Sequence, residues 1–281
     1  SPADTPRRPA QHRRETRAET GSLPAVAVIR SILCSPMPAP PPVPAVRLAD
    51  GASRITVGIA MMAWGVCWLA GNLLGALALG ALGQNTGDGD LPVWATLVGA
   101  LCLWTPILFG LFEVSRRFGV GSPVRDYGLV FRPFDLVGIP IGVLTQLVLL
   151  KLVYWPLESA WPDTFSTPKL EDSARSLYDS AHGVWLVVLV LVVVVGAPLV
   201  EELLYRGLLQ GAFARRIHEG LAVVLVAAWF ALIHFRPVEY PGLFTIGLVL
   251  GVCTLVTRRL GLSIVAHCAF NATGLLWVAS R

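Results

Sequence analysis

The sequence predicts an all-α fold, a polytopic transmembrane bundle of about seven helices. Three observations predict it. Hydrophobic residues make up 54% of the 281 and charged residues only 14%, with a mean hydropathy of +0.65, well outside the range of an ordinary soluble domain. Seven apolar runs approach or exceed the length needed to cross about 30 Å of hydrocarbon. The loops between them alternate in charge, as retention of Arg-rich loops in the cytoplasm requires.

Residues 1–50 read as a disordered tail. Arg7, Arg8, Arg13, Arg14 and Arg17 are followed by the proline run PMPAPPPVP at 36–44, a composition that favours an extended, solvated chain. Arg30 interrupts the apolar stretch 23–34, which makes it a poor signal peptide, and Leu33 stands where a lipoprotein signal needs a small residue before Cys34. A start at Met37 would make the residues before it an extension of the gene model; N-terminal sequencing of the native protein tests this. The apolar runs follow at 55–82, 92–114, 136–154, 184–214, 221–235, 242–257 and 262–279. Residues 51–183 therefore hold the N-terminal transmembrane helices and an external loop, and 184–281 hold the helices richest in intramembrane polar groups. The long connection 156–183 mixes Trp161, Phe165, Leu170 and Tyr178 with charges, and reads equally as an interfacial helix or a solvated linker.

Arg47 and Arg54 precede the first run, Arg116, Arg117, Arg125 and Arg132 follow the second, Arg215 and Arg216 the fourth, and Arg258 and Arg259 the sixth. Acidic residues mark the alternate loops, with Asp88 and Asp90 after the first run and Glu158, Asp163, Glu171, Asp172 and Asp179 before the fourth. The expected product is a multi-pass cell-membrane protein, N-terminus cytoplasmic and C-terminus outside. Its net charge of +4 reflects this loop pattern and points to the lipid bilayer, not to nucleic acid. The five cysteines show no CxxC or zinc-type spacing and read as small hydrophobes.

The costliest residues lie in the last four runs. Glu201 and Glu202 end the stretch 184–200, and a carboxylate deep in a bilayer costs roughly 2.5 to 3.5 kcal/mol, so a pair needs a partner or a task. Glu202 and Arg206 are four apart on a helix and can pair, leaving Glu201 about 100° away and available. Pro198 cannot donate to the Val194 carbonyl and is expected to kink the helix beside the acidic pair, making room for water or substrate, while Gly196 and Gly207 offer close-approach surfaces. Glu201 and His234 each lie about 16 residues from the middle of the loop 215–220, so an antiparallel hairpin brings them to one depth, roughly 20 to 24 Å from that loop. His267 and Asn271, four apart, share a helical face, and reach the same depth only if the loop before them sits deeper. A carboxylate, two imidazoles and an amide supply a general base, groups to orient water or bind a metal, and an oxyanion donor. Each group taken singly also serves as an interhelical tie.

At these residues the sequence resembles the CPBP family of intramembrane peptidases, named for CAAX-protein and bacteriocin processing and also called the ABI family. The family pattern E-E-x-x-x-R, F-x-x-x-H, H-x-x-x-N is met in order by Glu201–Glu202–Arg206, Phe230–His234 and His267–Asn271, and the resemblance covers roughly 184–279. It implies an endopeptidase acting on a membrane-associated protein or peptide, with Glu201 activating water, His234 positioning it, His267 and Asn271 stabilising the oxyanion, and Glu202 with Arg206 holding the site together. The resemblance implies catalysis without a metal. A zinc set of Glu201, His234 and His267 is the alternative, although H-E-x-x-H is absent. Two other classes remain: a catalytically silent scaffold or bacteriocin immunity factor built from the same polar ties, and a proton-coupled transporter, for which the expected repeats or paired broken helices are not evident.

Overall fold

The structure is a computed structural model that describes residues 54–84 and 91–281, and its long helices follow the apolar runs. Helix α1 is Val57–Ala81, α2 Val93–Phe118, α3 Pro133–Ala160, α4 Thr167–Asp179, α5 Val184–Ala214, α6 Glu219–Leu232, α7 Tyr240–Thr257 and α8 Gly261–Ala279. No strand occurs among the described residues. The tail 1–50, with the expectations attached to Cys34 and Met37, and the loop residues Asp88 and Asp90 lie outside the described residues.

Six helical stretches are long and apolar enough to cross a membrane: α1, α2, α3, α5, α7 with its leading turn, and α8. The run expected as a span at 221–235 is the exception. Its helix α6 has 14 residues, about 21 Å at 1.5 Å per residue, short of a hydrocarbon core of about 30 Å. It stops at Leu232 because Phe235 takes a left-handed backbone, φ 53°, and Pro237 follows two residues later. His234 therefore sits in the turn beyond α6 and not within a spanning helix, a correction to the simple hairpin.

The connection 156–183 contains the helix α4, which settles on the end of α8. Trp277 Nε1 donates to Glu171 Oε1 at 2.8 Å, and Arg281, 4.3 Å over the Trp277 ring, stands 3.8 Å from the same carboxylate. At the opposite end of the bundle the basic loops are fastened together. The Arg54 N–H donates to the Phe118 carbonyl at 2.7 Å, Arg215 Nη2 to the Ile55 carbonyl at 2.9 Å, and Arg258, just past α7, pairs with Glu219 at the start of α6. Helices α6 and α7 are thus a hairpin whose two open ends lie together.

Helix α1 pairs with α2, and α3 packs against α8. The core runs along α5, where Leu204, Leu208 and Leu209 meet Phe230 of α6, Ile246 and Leu250 of α7 and Ile264 of α8. Large apolar side chains such as Leu69, Leu73, Phe109 and Phe112 stay exposed on α1 and α2, as expected of faces solvated by lipid tails. Cys67, Cys102, Cys253 and Cys268 are free thiols within these helices.

Candidate active site

The site is built on an irregular helix. Within α5 the segments Leu191–Gly196 and Glu202–Gln210 are π-helical, flanking Pro198. Proline has no N–H and its ring crowds the preceding turn, so the helix widens beside it. In the first segment Ala197 N–H donates to Val192, so the five-residue step from Val193 ends on Pro198, which has nothing to donate. The Val193 carbonyl instead accepts from Asn271 Nδ2 at 2.8 Å. One of the two Asn271 amide hydrogens is therefore committed to tying α8 to α5.

Glu202 and Arg206 are fully buried and form the ion pair their spacing predicts, Nη1 to Oε1 at 3.1 Å. The same Oε1 lies 3.0 Å from His267 Nδ1. A carboxylate only accepts, so Nδ1 carries the proton and Nε2 turns towards Glu201, 3.8 Å from its Oε2. Glu201 keeps 28% of its side chain exposed where Glu202 keeps none. One glutamate is locked inside the protein and the other reaches accessible space.

His234 is oriented in the same manner. Its Nδ1 donates to the Phe230 carbonyl at 2.7 Å, one of the last carbonyls of α6, and leaves Nε2 free on a half-buried ring. The Phe230 ring is the surface on which these groups assemble: it meets His234 edge-on at 4.9 Å, His267 at 6.2 Å and Tyr205 at 5.2 Å, and the Arg206 guanidinium lies 4.8 Å above it. The structure thus gathers Glu201, Glu202, Arg206 and His267 directly and brings in His234 through Phe230. Asn271 adjoins from α8 through Val193.

Three supports escaped the sequence reading. Gln210, buried one turn past Arg206, donates to the Gly251 carbonyl at 3.0 Å, while Arg206 Nη2 donates to Gly247 at 3.2 Å. These donors, four apart on α5, match carbonyls four apart on α7. A polar residue in step with Glu202 and Arg206 was the available signal. The second support is Gly138 with Gly142 on α3: a Cβ on Gly142 would stand 2.2 Å from the Ala266 carbonyl oxygen and 2.7 Å from the Phe270 nitrogen, so only glycine lets α3 press on the stretch of α8 that carries His267. The small-x-x-x-small spacing was its signal. The third is Trp64 of α1, whose Nε1 donates to the Tyr205 hydroxyl at 3.4 Å, and no local pattern announces it. Gly196 and Gly207 do provide close contacts, against Trp104 and Tyr127.

Among the described residues no three His, Cys, Asp or Glu side chains are grouped to hold a metal ion. The Nδ1 bonds of His234 and His267 leave each Nε2 as the ring nitrogen turned to the site.

Residues 183–273 match the family model of the Rce1-like proteins, described as type II CAAX prenyl endopeptidase Rce1-like. Comparison with the curated proteins and with the solved structures gives no match. The matched segment contains all three motifs, from Glu201 to Asn271, and its helices α5 to α8 hold them in one cluster. Residues 183–273 of this multi-pass membrane protein are therefore similar to the Rce1-like type II CAAX prenyl endopeptidases, in keeping with the resemblance of the three motifs to the CPBP family.

Proposed function

We propose that the protein is an intramembrane endopeptidase that hydrolyses a peptide bond in a membrane-associated protein or peptide, with Glu201 as general base and no bound metal. The observation that carries the reading is the contrast between the paired glutamates: Glu202 is buried and bonded on its Oε1 side to Arg206 and His267, whereas Glu201 is accessible beside the free Nε2 of His267. Glu201 takes a proton from water, the resulting hydroxide attacks the scissile carbonyl, and the proton passes on to the departing amine. His234 Nε2 accepts from the water and orients it. His267, held through Nδ1 by Glu202, donates from Nε2 in its imidazolium form to the oxyanion, joined by the second Asn271 amide hydrogen. Glu202 and Arg206 fix that geometry. The basic end of the bundle faces the cytoplasm, which puts the N-terminus inside and the C-terminus outside.

A silent scaffold is the competing reading, favoured by the backbone ties that Asn271 and His234 make. N-terminal peptide profiling of membranes from a host expressing the wild type, Glu201→Gln, His234→Ala and His267→Ala separates the two. New N-termini present with the wild type and lost in all three variants support the peptidase. Folded variants that change no cleavage product support the scaffold.

A further inference from the structure

Six residues close a circuit of contacts at the His234 end of the site. His234 meets Phe230 at 4.9 Å, Phe230 meets Tyr205 at 5.2 Å, and the Tyr205 hydroxyl accepts from Trp64. Trp64 stacks on Trp68 at 5.9 Å, Trp68 meets Phe235 at 6.0 Å, and Phe235 is bonded in sequence to His234. Two members belong to α1, upstream of the segment matched to the family. The closing residue is also the strained one. Phe235 has φ 53°, a region glycine occupies freely and other L residues avoid, and its side chain is not sheltered, with 69% of the residue exposed. Burial does not explain a phenylalanine here. Among the described residues only Arg258, past the end of α7 and paired with Glu219, shares this conformation without being glycine. Such conformations persist where the surroundings over-determine them, and they concentrate at functional sites.

We propose that Phe235 is a positioning residue for His234: its left-handed backbone redirects the chain immediately after the imidazole, in the turn that follows α6, and its ring, seated on Trp68 of α1, holds that turn so that His234 keeps its Nδ1–H on the Phe230 carbonyl and presents Nε2. The proposal rests on the peptidase reading for the task of His234, but the orientation it describes is measurable without a substrate. Without the ring, the turn keeps its backbone and loses its anchor. The N-terminal helices thereby take part in the site through Trp68.

The test uses the full chain in lipid nanodiscs with Phe235→Gly, Phe235→Tyr, Trp68→Leu and Arg258→Gly. The deciding readout is nitrogen NMR of histidine-labelled protein, with the His234 signals assigned by their loss in His234→Gln. Phe235→Gly should unfold at the wild-type midpoint or a few degrees above it, since glycine accepts the left-handed backbone, roughly as unstrained loop substitutions do. Its His234 should nevertheless average between tautomers, as should that of Trp68→Leu, while Phe235→Tyr and Arg258→Gly keep the single Nδ1–H form. Turnover of an internally quenched farnesylated CAAX peptide should fall on the order of 10- to 100-fold in Phe235→Gly with KM nearly unchanged. A single Nδ1–H tautomer retained in Phe235→Gly overturns the proposal. Wild-type protein that leaves the peptide intact counts against the peptidase reading alone, because the tautomer measurement decides the positioning role by itself.

Discussion

Asn271 occupies the hydrogen-bonding place that Pro198 leaves empty. The Val193 carbonyl, whose π-helical partner would be residue 198, receives the Asn271 amide at 2.8 Å instead, so a helix defect on α5 fixes a candidate oxyanion donor on α8. Restoring the donor should therefore separate stability from activity. Pro198→Ala removes a residue that costs about 3 kcal/mol in a helix interior, and should raise or preserve the unfolding midpoint. It also lets residue 198 compete for the carbonyl, and cleavage should drop about tenfold or more as Asn271 is released. Melting curves and product formation measured on the same preparations check this.

The Glu202–Arg206 pair predicts an asymmetric mutational response. Arg206→Ala strands a fully buried carboxylate and should cost about 3 to 5 kcal/mol, enough to lose most folded protein. Replacing both partners at once, Glu202→Gln with Arg206→Met, should recover folded protein, because no uncompensated charge remains. The double variant should still be inactive, since His267 no longer has its anionic acceptor. Yield by size-exclusion chromatography, read beside cleavage, tests the pattern.

Close packing of α3 on α8 gives a third expectation. Gly142→Leu must push the helices apart against the Ala266 carbonyl and the Phe270 nitrogen, and overpacking of this kind costs about 1 to 3 kcal/mol. His267 should move with α8, so activity should fall further than stability accounts for. Gly65→Leu, on an α1 position where a side chain meets open space, is the control and should change neither.

Tyr127, in the loop between α2 and α3, makes the alkaline limb of stability informative. Burial first, and then the neighbouring Asp126 carboxylate, push its phenol well above the ordinary tyrosine value, and its hydroxyl donates to the Leu111 carbonyl at 2.6 Å. A group whose pKa is raised by folding stabilises fully below its unfolded value and loses that contribution as pH rises through the folded one. The unfolded chain sheds the proton from about pH 10, so stability should decline above that pH. Tyr127→Phe should cost about 1 kcal/mol at neutral pH, from the lost hydrogen bond, and should flatten the decline. Denaturation midpoints across an alkaline series measure both effects.

Much of this architecture was legible in the chain. The apolar runs gave the spanning helices because lipid demands uninterrupted apolar length, and the four-residue spacing of Glu202 and Arg206 foretold their pair. The motif order likewise pointed to the residues that converge. Run length misjudged α6, since hydropathy continues through Ile233 and Phe235 while the helix has already ended at Leu232 and the backbone turns left-handed at Phe235. The uneven fates of Glu201 and Glu202 followed from helical periodicity, but the acceptor for His267 did not, because His267 lies 65 residues away and its rotamer depends on the depth at which α8 enters.

What the sequence determined by itself is the set of membrane helices and the identity of the polar groups they carry, both consequences of local composition and spacing. Tertiary structure alone decided which ring nitrogen each histidine presents, that Asn271 answers the gap left by Pro198, and that Trp64 and Trp68 of α1 border a site built from α5 to α8. The physical reason is that hydrogen-bond direction and ring contact depend on relative helix position to within a fraction of an ångström, which is fixed by close approaches such as Gly142 on α8 and by no periodicity within a single helix.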